Sequence, residues 1–282
     1  MVNSPTESGK SYGIAIVAND KVLPWLLPFL ESYLATNATI PLYLIPFDDD
    51  VEKTRRVAEL YGAIWVHNDT AEVDALARRL YPLFPHHRRR LRKLQALTLP
   101  LDRVIYLDVD IILFRSFREV FETLRAGETD FVIASASEDY VYNKKREQHT
   151  FLKDVTLFND GFFLTSRRIL SLADFERVIE ADGALFHSVR KRGMLFAQPL
   201  VNFVVHRMGL KVKSLGDCVP KASNESFYKA EGVKLTDNGP LDWQGREIYF
   251  AHWAGATGTP KRRIFDTLWL DYAKRARERM GI

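Results

Sequence analysis

The stretch RVIYLDVDIILF, residues 103–114, decides the fold, because it is an almost unbroken apolar run with two carboxylates at its centre. A short apolar run of this kind is typical of a strand buried on both faces of a sheet. Side chains alternate along a strand, so Asp108 and Asp110 are predicted to share one face, about 7 Å apart. Two carboxylates that close repel each other, and their burial without partners costs several kcal/mol.

A divalent cation removes both penalties. Mg²⁺ and Mn²⁺ prefer hard oxygen ligands and bind one or two carboxylates together with phosphate oxygens. Ligands of open α/β sheets bind beyond the carboxyl ends of the strands, so we interpret Asp108-Val109-Asp110 as the chemical end of this strand. The alternative is that both acids are solvated or paired with arginines, and the apolar residues on either side of the motif argue against it.

The surrounding pattern predicts alternating strands and helices. Three strands are expected before the quoted stretch, over 12–20, 40–50 and 63–69, and two after it, over 130–137 and 156–166. Helices are expected over 23–36, 52–62, 86–100, 116–127 and 169–181, with a basic amphipathic helix at the end, over 264–282. This order predicts an α/β fold with a mostly parallel central sheet flanked by helices and a smaller irregular C-terminal region. The polar loop 137–156 interrupts the pattern, and we expect it to act as a lid.

Composition predicts one globular domain over 12–282, preceded by a disordered segment 1–11. The 282 residues are 46% hydrophobic and 27% charged, which is ordinary for a soluble protein. A net charge of +4 suits anionic ligands and is far from a nucleic-acid-binding footprint, so no nucleic-acid partner is expected. The single cysteine allows no internal disulfide, and the sequence has neither a secretion signal nor a membrane span, so a cytoplasmic location is expected.

The segment HWAGATGTPKRR, residues 252–263, combines a histidine, glycines and basic residues. Glycines such as Gly255 let backbone N–H groups approach a phosphate, and Lys261 can neutralise it. His252 is a candidate metal ligand through a neutral imidazole. A surface loop with a buried histidine is the alternative.

The segment FNDGFFLTS, residues 158–166, places Asn159, Asp160 and Gly161 at the start of an aromatic strand. Amide and carboxylate side chains bond sugar hydroxyls, and a glycine admits a sugar ring, so the segment favours sugar recognition. A tight bend with Gly161 as a bulge is the alternative.

Four segments in this order resemble the glycogenin-like, family-eight glycosyltransferases of the GT-A fold, over about residues 12–263. The segments are AND (18–20), RKLQALTLPLDRVIYLDVDIILF (92–114), FNDGFF (158–163) and HWAG with its downstream lysine (252–261). The resemblance implies transfer of a hexose from a nucleotide sugar, usually a UDP-sugar, to a hydroxyl of a saccharide, lipid or small molecule. It also implies a divalent cation, usually Mn²⁺ and otherwise Mg²⁺.

The resemblance implies a role for each matching residue. Asp108, Asp110 and His252 are the implied metal ligands, and Asp108 also reaches the ribose. The implied contacts to the donor come from Asn19, Asp20, Lys93, Asn159, Asp160, Gly161, Gly255 and Lys261. By the same resemblance, residues 12–135 form the nucleotide-sugar half and residues 136–263 the acceptor half.

The sequence departs from the family pattern at three places. In FAQPLVN (196–202), Gln198 and Asn202 remain, but Ala197 and Pro199 replace the residues that flank Gln198 in the family, so an acid associated with the reacting sugar is missing. The family retains stereochemistry, and Gln198 or the leaving phosphate would then lie beside the attack path; for an inverting reaction, Asp160 is the candidate base. Val22 stands where the family has an aromatic residue, and Lys261 falls nine residues after His252 instead of six.

Two other functions stay open on the sequence. A nucleotidyltransferase shares the sheet and the paired acids, but normally has a glycine-rich basic loop after its first strand, where this chain has ANDKVLPW (18–25). A non-enzymatic module could bind membranes or partners through the arginine run 86–93 and the C-terminal helix. A transferase with peripheral contact at the inner membrane face would use both features.

Overall fold

The computed structural model describes residues 11–67, 70–82, 88–136, 141–191, 197–256 and 263–281. The candidate phosphate ligand Lys261 lies outside the described residues, and so do residues 137–140 of the expected lid.

The described strands are β1 (Tyr12–Ala18), β2 (Leu42–Pro46), β3 (Ile64–Trp65), β4 (Arg103–Leu107), β5 (Ile111–Leu113), β6 (Phe131–Ile133), β7 (Phe162–Thr165), β8 (Val212–Ser214), β9 (Lys234–Thr236), β10 (Gly239–Leu241) and β11 (Phe250–His252). The described α-helices are α1 (Leu23–Asn37), α2 (Glu52–Leu60), α3 (Ala71–Leu80), α4 (Arg118–Phe121), α5 (Leu172–Val189), α6 (Ala197–Arg207), α7 (Leu215–Cys218) and α8 (Ile264–Met280). Short 3₁₀ helices cover Asp20–Val22, Arg89–Thr98 and Lys144–Gln148.

Seven of these strands form the central sheet, in the order β3-β2-β1-β4-β7-β6-β8. Neighbouring strands run parallel, except that β7 is antiparallel to both β4 and β6. The carboxyl ends of β1, β4 and β6 therefore lie at the same edge as the beginning of β7, where Leu107 is paired with Phe162. The predicted α/β fold with a mostly parallel sheet is confirmed.

The prediction of one continuous strand over 103–114 is wrong. β4 ends at Leu107, and β5 pairs antiparallel with β11 in a separate two-stranded sheet. The backbone N–H of Asp108 still donates to Gly161 (2.8 Å), whereas the carbonyl of Asp110 accepts from Trp253 (2.9 Å). The two carboxylates at this break are about 30% exposed (31% and 29%).

Several helices differ from the expectation. Helix α3 was not expected at all, α4 is shorter than the predicted 116–127, and α5 is longer than the predicted 169–181. The basic segment predicted as a helix over 86–100 is described as a 3₁₀ helix over Arg89–Thr98. Its leucines face the core, because Leu91 and Leu94 are fully buried.

The described part of the expected lid, residues 141–156, is held against the core. Val141 and Leu152 are fully buried, and the Tyr142 hydroxyl donates to the carbonyl of Pro199 (3.1 Å). The described part is therefore anchored to the core by buried residues that are widely spaced among charged ones.

The C-terminal helix α8 packs on the molecule through its aromatic face. Phe265 is fully buried and Trp269 is 6% exposed, as expected for core residues. Near its end, Arg279 donates to the buried carboxylate of Glu31 on α1. No helix within the described residues has the length and apolar character needed to traverse a bilayer.

Candidate functional site

A cleft of about 1660 Å³ opens at the carboxyl edge of the central sheet. Four strands of the sheet, β1, β4, β6 and β8, each contribute a residue near their carboxyl ends: Val17, Tyr106, Ile133 and Ser214. Ligands of open α/β sheets bind at this edge, so its position agrees with the expectation from the sequence.

Three candidate metal ligands meet in this cleft. One ligand atom from each of Asp108, Asp110 and His252 lies within 4.8 Å of the other two. The Nε2 atom of His252 is 3.1 Å from Oδ1 of Asp110 and 3.8 Å from Oδ2 of Asp108. Two carboxylates and an imidazole fit a divalent cation, because oxygen and neutral nitrogen are the ligands that such ions bind in proteins.

The charges of this cluster support one another. Burial opposes ionisation of Asp110, but the neighbouring His252 holds the pKa of that carboxyl below its ordinary value. Burial likewise disfavours the imidazolium of His252, but Asp110 and Asp108 raise its pKa. Asp110 thus stays ionised beside positive charge, which a bound divalent cation can supply in place of the His252 imidazolium.

Gly161 permits the close packing beneath the cluster. A Cβ atom at this position would lie 2.3 Å from Cε1 of His252 and 2.8 Å from Oδ2 of Asp108. No side chain fits there, which explains the glycine better than the bulge considered from the sequence. The N–H of Gly161 donates to Oδ1 of Asn159 (2.8 Å), and Asn159 itself lines the cleft.

Lys93 projects into the site from the 3₁₀ helix that precedes β4. Its Nζ lies 3.0 Å from Oδ1 of Asp160 and 3.4 Å from Oδ1 of Asp108, and it stands 4.9 Å above the ring of Tyr106. Burial would lower the pKa of this lysine, but the two carboxylates raise it, so Lys93 carries its charge inside the protein. A buried cation at this place is suited to an anionic ligand.

The Asp160 carboxylate is only half satisfied. Oδ1 is paired with Lys93, whereas Oδ2 is buried and has no hydrogen-bond partner among the described residues. Burial raises the pKa of this carboxyl, and the charge of Lys93 only partly offsets the effect. An orphaned carboxylate oxygen beside a cleft is a candidate acceptor for a ligand hydroxyl.

Tyr106 completes the set around Asp108. Its hydroxyl donates to Oδ1 of Asp108 (2.7 Å), and burial together with the charge of Asp108 raises its pKa well above the ordinary value. Tyr106 therefore stays protonated and orients the carboxylate. Sequence reasoning missed this residue, although its position two before Asp108 on one strand face was a usable signal.

Asn19 and Asp20 hold the corner after β1 and are not part of the cleft wall. The carboxylate of Asp20 accepts from the backbone N–H groups of Thr54 (2.7 Å) and Lys53 (3.1 Å), so it fixes the beginning of α2. Asn19 is 3% exposed, and its amide donates to Asp48 (3.0 Å).

Aromatic rings do line the cleft near this corner, although Val22 replaces the aromatic residue of the family pattern. Trp25 on α1 and Phe47 just after β2 both line it. Arg89 lines the same region and pairs with Asp48 (3.2 Å). These rings lie outside the motif position, so the family pattern could not reveal them.

Two more predicted residues, Gln198 and Gly255, also line the cleft. Gln198 lines the cleft at the beginning of α6, and Asn202, one turn later, is fully buried and bonds both backbone groups of Phe158 (3.0 and 2.9 Å). Asn202 therefore positions the segment that leads to Asp160. Gly255 lines the cleft at a left-handed turn with φ of 70°, where glycine is favoured.

No model of a known protein family matches the chain, and no curated protein sequence matches it. Solved structures do match. The galactosyltransferase LgtC, in complex with donor and acceptor sugar analogs, is 15% identical with a TM-score of 0.56 over 93% of this chain and 95% of that chain.

Two further solved structures are similar to the chain. The glycosyltransferase GlyE of Streptococcus pneumoniae TIGR4 is 13% identical, with a TM-score of 0.55 over 94% of this chain and 60% of that one. Mouse xyloside xylosyltransferase 1 is 17% identical, with a TM-score of 0.50 over 72% of this chain and 84% of that one. The chain therefore has the fold of GT-A glycosyltransferases.

Proposed function

We propose that the protein is a metal-dependent glycosyltransferase that moves a hexose from a nucleotide diphosphate sugar, best a UDP-sugar, to a hydroxyl acceptor. The observation that carries the proposal is the cluster of Asp108, Asp110 and His252 in the cleft of a GT-A fold. A structural role alone does not account for two partly exposed carboxylates and a buried histidine at the ligand-binding edge of the sheet. The imidazole favours Mn²⁺ over Mg²⁺, which takes oxygen ligands almost exclusively.

Each side chain has a separate task in the proposed reaction. Asp108, Asp110 and His252 would hold a divalent cation, whose positive charge would offset the charge that develops on the leaving diphosphate. Lys93 adds a second, buried positive charge on the same side of the cleft. Tyr106 keeps the Asp108 carboxylate in place by its hydrogen bond.

We further propose that the transfer retains the configuration of the sugar. An inverting enzyme needs a carboxylate base that reaches the acceptor hydroxyl. The candidate base Asp160 is 6% exposed, and one of its oxygens is committed to Lys93. Asp160 is better suited to hold Lys93, whereas Gln198 lines the cleft at the beginning of α6.

The experiment is incubation of the protein with UDP-glucose or UDP-galactose, with and without Mn²⁺, while UDP release is followed. The proposal predicts UDP release that requires Mn²⁺ and an anomeric product configuration, read by ¹H NMR, equal to that of the donor. Formation of a UDP-sugar and pyrophosphate from UTP and a sugar 1-phosphate, without UDP release from any nucleotide sugar, would instead indicate the nucleotidyltransferase alternative. Absence of release from every nucleotide sugar tried, together with absence of UDP binding, would overturn the proposal.

A further inference from the structure

Two exposed aromatic rings on the cleft rim have no role in the donor site. Among the described residues, the large hydrophobic side chains that are exposed are Leu60, Ile64, Phe227, Leu235, Trp243 and Leu270. Of these, only Phe227 (42% exposed) and Trp243 (70% exposed) line the cleft. Large exposed rings at a concave site commonly contact a ligand.

The residues on either side of Phe227 are hydrogen-bonded to the backbone of His252, a candidate metal ligand. The N–H of His252 donates to the carbonyl of Ser226 (2.7 Å), and the N–H of Tyr228 donates to the carbonyl of His252 (3.2 Å). The position of this ring is therefore set relative to the cluster by two main-chain hydrogen bonds.

Trp243 sits at the tip of a rigid turn after β10. The carboxylate of Asp242 accepts from the N–H groups of Gln244 and Arg246 (both 2.9 Å) and from the hydroxyl of Ser223 (2.6 Å). Asp242 is 2% exposed, so a buried, fully bonded carboxylate fixes a turn that presents an exposed indole. The turn is preorganised to present the ring, which lowers the entropic cost of binding.

The charges around the two rings favour a neutral saccharide over a lipid surface or an acidic ligand. Glu225 and Glu231 line the same part of the cleft as Lys229, so the rim has mixed charge. Mixed charge gives an anionic membrane no net attraction, and a flat bilayer would not reach rings that line a concave cleft. A sugar ring presents an apolar C–H face for stacking and hydroxyls for the polar groups nearby.

Resting on the proposed function, we propose that Trp243 and Phe227 form an aromatic rim that binds a neutral saccharide as the acceptor. Trp243 stacks on the sugar ring, and Phe227, held by the strand that carries His252, directs the attacking hydroxyl side of the sugar toward the donor. Both are specificity-determining residues for the acceptor and take no part in metal or donor binding.

The test separates transfer to water from transfer to a sugar. UDP release from UDP-hexose with Mn²⁺ is measured without acceptor and with a panel of neutral methyl glycosides. The wild type is expected to release UDP faster with at least one glycoside. Trp243→Ala is expected to keep the rate without acceptor and to need at least about tenfold more glycoside for half-maximal stimulation.

Trp243→Phe, which keeps a ring, should retain most of the stimulation. Leu235→Ala is the matched control, because Leu235 is 45% exposed and does not line the cleft. Unchanged glycoside dependence in Trp243→Ala would overturn the aromatic rim and leave the proposed function intact. The aromatic rim would also be overturned if no glycoside stimulated UDP release by the wild type.

Two further measurements keep the test decisive. If the wild type releases no UDP, the proposed function fails. The aromatic rim is then tested by saturation-transfer NMR of the same glycosides. Glycoside binding that depends on Trp243 would support the aromatic rim, and absence of binding would overturn it. Sedimentation with vesicles of phosphatidylcholine and phosphatidylglycerol tests whether the two rings bind a lipid surface instead. Vesicle binding that Trp243→Ala abolishes would overturn the saccharide assignment.

Discussion

At the residue scale, the site depends on a few charged atoms that lie within hydrogen-bonding distance of one another. Asp110 contributes an oxygen 3.1 Å from His252. We expect Asp110→Asn to remain folded, because its neutral side chain nearly preserves the shape of the site. Metal-dependent UDP release should fall by at least about 100-fold, because a charged ligand is lost.

The control for this variant is Asp237→Asn, a change of the same kind at an exposed residue in the turn between β9 and β10. Circular dichroism would show that both variants are folded. Full activity in Asp110→Asn would contradict the assignment of the metal site.

Gly161 gives the second prediction at this scale. In Gly161→Ala, the new methyl group would meet His252 at 2.3 Å and Asp108 at 2.8 Å, so one of these ligands must move. We expect Mn²⁺ affinity to fall by about 10- to 100-fold and stability to fall by about 1–3 kcal/mol. Isothermal titration calorimetry with Mn²⁺ and urea unfolding measure the two effects.

Gly183→Ala is the matched control, since the nearest atom to its new Cβ would be 3.6 Å away, an ordinary contact. Equal Mn²⁺ affinity in wild type and Gly161→Ala would show that the glycine serves only the backbone and not the cluster.

At the element scale, a buried ion pair joins the 3₁₀ helix Arg89–Thr98 to the segment before β7. Lys93 and Asp160 are 9% and 6% exposed. Lys93→Met should destabilise the protein by about 3–5 kcal/mol, because it leaves the carboxylate buried without its partner. The double variant Lys93→Met/Asp160→Asn should recover much of this loss, because the buried charge of Asp160 is removed as well.

Urea unfolding of the wild type, both single variants and the double variant gives the coupling free energy. Additive effects of the two substitutions would contradict the pairing of these residues.

The stretch 103–114 shows how much of the local structure its apolar pattern could predict. The apolar run 103–114 correctly predicted a buried strand that leads to two acids at the carboxyl edge of the sheet. It did not predict that the chain leaves the sheet at Asp108, because β5 pairs with β11, which lies far away in sequence. Long-range pairing of this kind overrides a local pattern.

At the scale of the whole molecule, stability is expected to depend on pH through a buried histidine on α6. The His206 imidazole is difficult to protonate, because burial lowers its pKa from 6.5 to about 4, although its hydrogen bond with Thr156 opposes the shift. The unfolded chain binds the proton below pH 6.5 and the folded chain only near pH 4. The free energy of unfolding therefore falls as the pH drops from 6.5 to 4, by about 2 kcal/mol at pH 5.

His206→Gln isolates this contribution, because glutamine keeps a donor for the Thr156 carbonyl but does not titrate. Urea unfolding at pH 7 and pH 5 should show a loss about 2 kcal/mol larger in the wild type than in the variant. The same loss in both proteins would contradict a neutral, buried His206.

The overall architecture was more predictable than the details of the cleft. Alternating apolar strands and amphipathic helices indicated the α/β sheet, and ordered motifs indicated where Asp108, Asp110, His252 and Lys93 would meet. The corner role of Asp20 and the rim ring of Trp243 could not be predicted, because capping contacts and exposure depend on segments distant in sequence. Short polar residues such as Asp20 serve equally well as ligands or as helix caps.

The central claim is that Asp108, Asp110 and His252 hold a cation that binds the diphosphate of the donor. Diffraction at the manganese absorption edge from crystals grown with Mn²⁺ and UDP tests it most directly. We predict one strong anomalous peak among the three side chains, in contact with the UDP phosphates, and its absence in Asp110→Asn. A UDP molecule bound in the cleft with no anomalous peak among these residues would contradict the account.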